Sequence, residues 1–320
     1  MRMRLAVAGL LLACAVAHAP AAAAGPPTHA YPPSRGRPSL EGTWTANIIL
    51  SMESTPETPD LVVSEAEAKK IAASVGGKIS KIFEATLDPE APADIAASDG
   101  LPIVRGQRRT RAVVLPADGK LPLTAAGRAE LTAHAKPRSF DNPEDRSPDE
   151  RCLFGLGVPP LTSFVFENAL QILITPGFVV LHTEYGDEVR IVPLRGPHRP
   201  KAVAWSLGDS VGHWDGPTLV IETVGLPDSE RKRGFPNYLV PGSATVIERL
   251  TPISERELLY QFTVVDPKTY AAPWLAEFSW YRTDQPVHEH ACHEGNYSLA
   301  NELAGARYEE SRARAAAGGH

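Results

Sequence analysis

The chain has 320 residues, 43% of them hydrophobic and 22% charged, and a formal net charge of −6 at pH 7. That length and apolar content supply a large core in one or two domains and exclude a disordered chain. The acidic balance argues against a nucleic-acid or anionic-membrane partner.

The N-terminus reads as an export signal. Arg2 and Arg4 give a basic start, Leu5 to Ala13 a short apolar run, and small residues continue to Ala24. The run is too short for an anchor helix. Two processing readings stay open: cleavage after Ala24, or lipidation of Cys14 in Leu11-Leu12-Ala13-Cys14, which resembles a bacterial lipobox. Cleavage removes Arg2 and Arg4 and no acids, so the charge moves from −6 to −8. A periplasmic or secreted location follows from either reading. Cys152 and Cys292 then remain. In an oxidising compartment they are expected to pair; the alternative is two buried thiols.

Residues 25–38, rich in Pro, Ala and Gly, read as a disordered leader. Leu40-Glu41-Gly42-Thr43-Trp44 opens a strand running to about Leu50. Ser64-Glu65-Ala66-Glu67 forms a capping box for a helix that stops at Gly76-Gly77. Residues 78–120 carry little pattern beyond a strand over Thr110 to Leu115, which ends at the Pro116-Ala117-Asp118-Gly119 turn. A helix follows from Thr124 to Ala135. Arg138 to Glu150, polar and Pro-containing, is the expected internal boundary. The chain therefore divides into a signal peptide (1–24), a leader (25–38), an N-terminal strand with helical and irregular segments packing on a barrel (39–150), the barrel with a C-terminal helix (151–312), and a disordered tail (313–320).

From Leu170 onward the pattern is β. Strands are expected over Gln171–Thr175, Phe178–Tyr185, Glu188–Leu194, Ala202–Leu207, Thr218–Val224, Thr245–Thr251, Glu257–Val265, Leu275–Arg282 and Val287–Cys292, joined mainly by tight turns. Such a series predicts a mainly β fold, an antiparallel meander closing as a barrel or folding as a sandwich. Leu299, Leu303 and Ala306 then fall at helical spacing, with Asn296 or Ser298 as N-cap.

Two runs, G-D-S-V-G-H-W-D-G-P-T-L-V-I-E-T (Gly208 to Thr223) and E-H-A-C-H-E-G-N-Y-S-L-A-N-E-L-A-G-A-R-Y-E-E (Glu289 to Glu310), resemble an uncharacterised family of exported bacterial β-rich proteins. That likeness covers about Leu40 to Glu310 and brings no activity with it. Separately, Gly42-Thr43-Trp44 is similar to the G-x-W that opens the first strand of lipocalins, which implies a related barrel shape and no function.

Val287 to Asn296, V-H-E-H-A-C-H-E-G-N, gathers three of the ten histidines. On a strand, His288, His290 and Cys292 would share a face and could hold a metal with help from His182, Glu184 or Glu222; the plainer reading is half-exposed strand residues and no metal. An acid–base reading uses His293 and Glu294 beside a helix N-terminus, His213 next to Trp214, and Glu222 on an interior face with Arg249 or Tyr260 as its partner. Asp209, Glu294 and Asn296 would orient these groups. Trp214, Tyr260, Asn296, Trp280 and Arg249 would line the substrate site. Taken singly, each of these residues also has a structural explanation. Gly208-Asp209-Ser210-Val211-Gly212 matches G-x-S-x-G, but the β run after Gly216-Pro217 makes it a glycine-bracketed turn. The aromatics Trp44, Trp205, Trp214, Phe262, Trp274, Phe278, Trp280 and Tyr281 would line a cavity or pack a core. Arg108 to Arg111 and Arg231-Lys232-Arg233 read as solvated loop charges.

Three functions compete on this reading. The first is an exported, cofactor-free acid–base enzyme, a lyase or isomerase, acting on a small hydrophobic or aromatic molecule in the barrel. The second is a non-catalytic periplasmic binding protein for a small amphiphilic ligand. The third is a metal-dependent enzyme. The expected partner is a small molecule, with no nucleic acid and no integral membrane segment. The oligomeric state is not legible.

Overall fold

The computed structural model describes residues 39–46, 50–74, 101–134, 139–146, 150–153, 157–162, 169–200, 206–228, 232–233 and 238–317. The strands in chain order are β1 (Gly42–Thr45), β2 (Val62–Val63), β3 (Ile103–Val104), β4 (Gln107–Arg109), β5 (Val113–Leu115), β6 (Ala169–Ile174), β7 (Phe178–Thr183), β8 (Glu188–Pro193), β9 (Asp209–Asp215), β10 (Thr218–Val224), β11 (Lys232–Arg233), β12 (Tyr238–Leu239), β13 (Thr245–Pro252), β14 (Glu257–Val265) and β15 (Trp274–Arg282). The helices are α1 (65–74), α2 (Ala125–His134), α3 (Cys292–Gly295) and α4 (Tyr297–Ala317). Nine strands form an antiparallel path, β8-β7-β6-β1-β15-β14-β13-β10-β9, with β5 added to β15. The path curls into a nearly closed barrel whose two end strands approach at Gly212. A Cβ there would stand 3.0 Å from Val192 Cγ1 and 3.5 Å from Leu194 Cδ2, so glycine lets the seam close.

The interior follows from the pleat, which sends alternate side chains inward. Val246, Glu248 and Leu250 of β13 face in, as do Leu258, Tyr260, Phe262 and Val264 of β14 and Trp274, Ala276, Phe278 and Trp280 of β15. Tyr238 packs edge-on to Trp274 at 5.5 Å, and Tyr260 meets Phe278 at 5.1 Å. The aromatics therefore pack one another as a core. The start of β1 is pinned to the end of β15. The Arg282 guanidinium lies 4.2 Å from the centroid of the Trp44 ring and donates to the carbonyls of Glu255, Glu41 and Ser39. Gly42 (φ +122°) is needed beneath it, because a Cβ would fall 2.3 Å from Arg282 Nη1. The G-x-W spacing thus has a local physical cause.

A charged strut crosses the core. Arg190 of β8 makes a bidentate pair with Glu248 of β13, at 2.5 and 2.9 Å. Tyr260 Oη donates to Glu248 at 2.6 Å and accepts from the Leu161 amide at 2.7 Å. The segment bearing Leu161 enters the barrel, with Val158 and Leu161 in the core and the Gly157 amide donating to Glu188 at 2.7 Å. Outside the barrel, β2, β3 and β4 form a small sheet. Arg105 and Arg109 anchor it to buried Glu277 of β15, each at 3.0 Å.

Several local expectations meet the structure directly. The Glu67 amide donates to Ser64 Oγ at 3.2 Å, and the strands over 218–224 and 257–265 fall as read. The Leu299 amide donates to Asn296 Oδ1, so Asn296 caps α4. Others are corrected. Residues 138–150 do not separate two units, because β1 lies between β6 and β15 in the barrel sheet itself. Gly208 to Gly212 is mostly strand β9 rather than a turn, and Ser210 is buried against Thr223 Oγ1 at 2.7 Å. Leu207 lies in a turn. Val287–Cys292 is not a strand; the chain runs irregularly and then makes the single turn α3. The tail expected from 313 is helical through Ala317. The expected signal segment with Cys14, the expected leader over 25–38, the expected helix stop at Gly76-Gly77, Ala202 to Trp205 and Arg231 lie outside the described residues.

Candidate functional site

Strand β7 ends in a tight turn, Tyr185-Gly186-Asp187, with Gly186 at φ +92° and Asp187 at φ +50°. Asp187 Oδ1 accepts from His182 Nε2 at 2.8 Å, which holds the hairpin tip against its own strand. The C-terminal stretch crosses this tip. The His288 amide donates to Glu184 Oε1 at 2.8 Å, and the His290 ring lies against Tyr185, tilted by 33°, with centroids 4.5 Å apart. His290 Nδ1 is buried without a hydrogen-bond partner. Two residues on, Cys292 is bonded to Cys152. Asn296 adds a second tie, donating to the Glu150 carbonyl at 2.7 Å and to Cys152 Sγ at 3.3 Å.

These ties enclose a recess of about 280 Å³, lined by Tyr185, Gly186, Asp187, Glu289, His290, Ala291, His293, Glu294 and the disulfide. Among the described residues three carboxylates and two imidazoles line it, and no Lys or Arg does. Its volume lies just under the range typical of drug-sized ligands. The ring pair and the disulfide offer apolar and π surface, and the carboxylates supply acceptors and negative charge.

The residues singled out from sequence divide among four places. His293 and Glu294 line the recess, and Asn296 fastens its wall. Asp209 and Glu222 meet elsewhere, on the outer wall of β9 and β10, where His198 bridges them: Nδ1 is 2.9 Å from Asp209 Oδ2 and Nε2 is 3.1 Å from Glu222 Oε1. His213 is also on the outer face of β9, exposed, and cross-strand from Val220. Tyr260 and Trp280 are buried in the core, and Trp214 packs partly against it.

The interior placement of Glu222 is therefore corrected. On β10 the inward set is Leu219, Ile221 and Thr223, so Glu222 points out, with its side chain 52% exposed. Its expected partners are taken by others. Arg249 pairs with Asp215 at 2.8 Å and holds that carboxyl below its ordinary pKa, and Tyr260 belongs to Glu248. His213 and Glu222 do not line the recess that His293 lines. Histidines 288 and 290 do not project from one strand face, and Cys292 is in a disulfide. Among the described residues no three His, Cys, Asp or Glu side chains are grouped to hold a metal ion.

Sequence reading missed Tyr185, Asp187, His198, Arg190 and Glu248. Glu248 was open to detection, since it shares a strand face with Val246 and Leu250. Arg190 was hidden, because its neighbours Val189 and Ile191 are the apolar ones. No helix among the described residues is long and apolar enough to cross a membrane. Comparison with protein-family models, curated proteins and solved structures gives no match to this chain.

Proposed function

We propose that the chain is an exported binding protein that holds a small amphiphilic molecule with a cationic head in the recess beside the Cys152–Cys292 disulfide. The observation that carries this reading is the lining: the tilted Tyr185 and His290 ring pair next to the carboxylates of Asp187, Glu289 and Glu294, with no basic side chain but histidine among the described residues. An ammonium group gains from carboxylates and from a ring face together, while an apolar body rests on the ring and the disulfide. Export is supported by the disulfide, a bond that persists in oxidising compartments, and by the signal-like N-terminus.

The test is a calorimetric titration with benzyltrimethylammonium, using benzoate as the anion of similar size. The cation is expected to bind with Kd on the order of 1 mM, because the recess is small and open. Benzoate is expected not to bind, and Glu289→Gln with Glu294→Gln should weaken the cation about tenfold. Equal binding of the two ions, or binding of neither, would overturn the reading.

A second reading has its own support. His290 and His293 line one recess together with Glu294, so acid–base chemistry of the lyase or isomerase kind has its groups in one place. Under that reading His293→Ala abolishes turnover of a bound substrate and leaves the melting temperature unchanged. Under the binding reading there is no turnover to lose.

A further inference from the structure

Among the described residues, every basic side chain that lines the recess beside the disulfide is a histidine. Asp187, Glu289 and Glu294 bring three negative charges, and His290 and His293 are the groups there that can turn positive. Histidine is the side chain whose charge ordinarily changes between pH 5 and 8. Three elements surround these groups. On the hairpin, His182 Nε2 donates to Asp187 Oδ1 at 2.8 Å, Glu184 accepts from the amides of His288 and Ala169, and Glu188 accepts from the Gly157 amide. On the crossing stretch, the His290 ring lies 4.5 Å from Tyr185, while the His288 side chain is exposed and outside the lining. On the third element, Glu150 pairs with Arg146, Cys152 is oxidised, and Arg151 is not part of the lining.

We propose that the recess takes up its cation near neutral pH and releases it in mild acid, with His290 and His293 setting the change. This regulation rests on the binding reading above. With both imidazoles neutral the lining carries three negative charges; with both protonated it carries a net of one. Protonation of His182, paired with Asp187, removes a further part of the attraction. His290 acts in a second way, because as an imidazolium it puts its own charge against the Tyr185 ring that the guest uses. At a separation of roughly 6 Å in near-aqueous surroundings, two imidazolium charges together weaken a monovalent cation about tenfold. A quaternary ammonium cannot escape this by losing a proton, so the sign is fixed: tighter binding at high pH, weaker at low. Carboxyl groups ordinarily take up protons only near pH 4, so a release that worked through them would fall lower on the pH scale.

NMR titration of the full chain with benzyltrimethylammonium, whose charge is independent of pH, tests this across a series from pH 4 to pH 8. Kd is expected to rise about tenfold between pH 8 and pH 5.5, with its midpoint inside the histidine range. The ratio of the two constants is the readout, whatever the affinity of a variant at pH 8. His290→Gln with His293→Gln should bring that ratio below about threefold. His293→Gln alone, at an exposed position, should give an intermediate ratio. His288→Gln, outside the lining, should keep the parent ratio. Melting temperatures at both pH values are expected to show a folded protein. No binding at any pH would overturn the binding reading and this inference together. Equal binding at pH 5.5 and pH 8 would overturn the inference and leave the binding reading standing. So would a fall centred below pH 5, a fall that persists undiminished in the double variant, or a loss of affinity that tracks unfolding.

Discussion

Replacing Glu248 by Gln isolates the strut that crosses the barrel. The carboxylate is fully buried and its partner Arg190 is 4% exposed, so neither charge is solvated by bulk water. Burial alone pushes the Arg190 pKa down; the adjacent Glu248 charge and its two hydrogen bonds outweigh this and raise it. With Gln the guanidinium stays charged, because its pKa is too high for neutralisation to be cheap. An uncompensated charge is then left in the core. Removing one member of such a pair costs about 3–5 kcal/mol. For a domain of this size each kcal/mol lowers the melting temperature by about 2–4 °C, so a fall of roughly 6–20 °C is expected in calorimetry at neutral pH. The double replacement Arg190→Met with Glu248→Leu removes both charges and should be more stable than Glu248→Gln alone. A fall under about 2 °C for Glu248→Gln, or a double variant less stable than the single one, would refute the argument that an unpaired charge sets the cost.

Two further outcomes follow from the structure. Burial raises the pKa of Tyr260 well above its ordinary value, with the Glu248 carboxylate adding to the effect, and burial raises Tyr270 as well. A phenol whose pKa is raised by folding contributes stability that is present below the unfolded value near 10 and lost as pH rises above it. There the unfolded chain releases protons that the folded chain keeps, and each such tyrosine lowers stability by about 1.4 kcal/mol per pH unit. Denaturant midpoints measured from pH 9 to 11 should drop, and the drop should shrink in Tyr270→Phe; a flat profile would contradict it. The second outcome concerns the disulfide. α4 buries no residue; among the described residues its ties are the adjoining Cys152–Cys292 bond, Asn296, the ion pair of Arg146 with Glu302 and the Arg307 guanidinium donating to the Asp141 carbonyl. Cys152→Ser with Cys292→Ser removes a cross-link closing 140 residues, worth up to about 5 kcal/mol on the chain-entropy model. Hydrogen exchange should become fast in α4 and stay slow in β13, β14 and β15. Unchanged protection of α4 would show that its packing, not the bond, holds it.

Legibility varied with the range of the cause. Strand boundaries over 218–224 and 257–265, the Ser64 cap and the Asn296 cap were open to reading because each depends on residues within a few positions. The disulfide was open because only two cysteines lie beyond residue 24. Which face of a strand turns inward was another matter. In β10 the bracketing valines drew Glu222 inward on paper, whereas the sheet turned Leu219, Ile221 and Thr223 in and gave Glu222 to His198. Val287–Cys292 alternates like a strand but runs irregularly across the tip of the β7–β8 hairpin.

The amino-acid order alone determined that this is an antiparallel β protein with a helix at its end, because alternation, turn residues and caps act locally. Only the tertiary structure decided which polar groups meet. Arg190 and Glu248 stand 58 residues apart in the chain, and His293 shares its recess with Tyr185 rather than with His213. Barrel closure sets those distances, through the register of every intervening strand, and a shift of one residue in any of them would turn the same side chains to the opposite face.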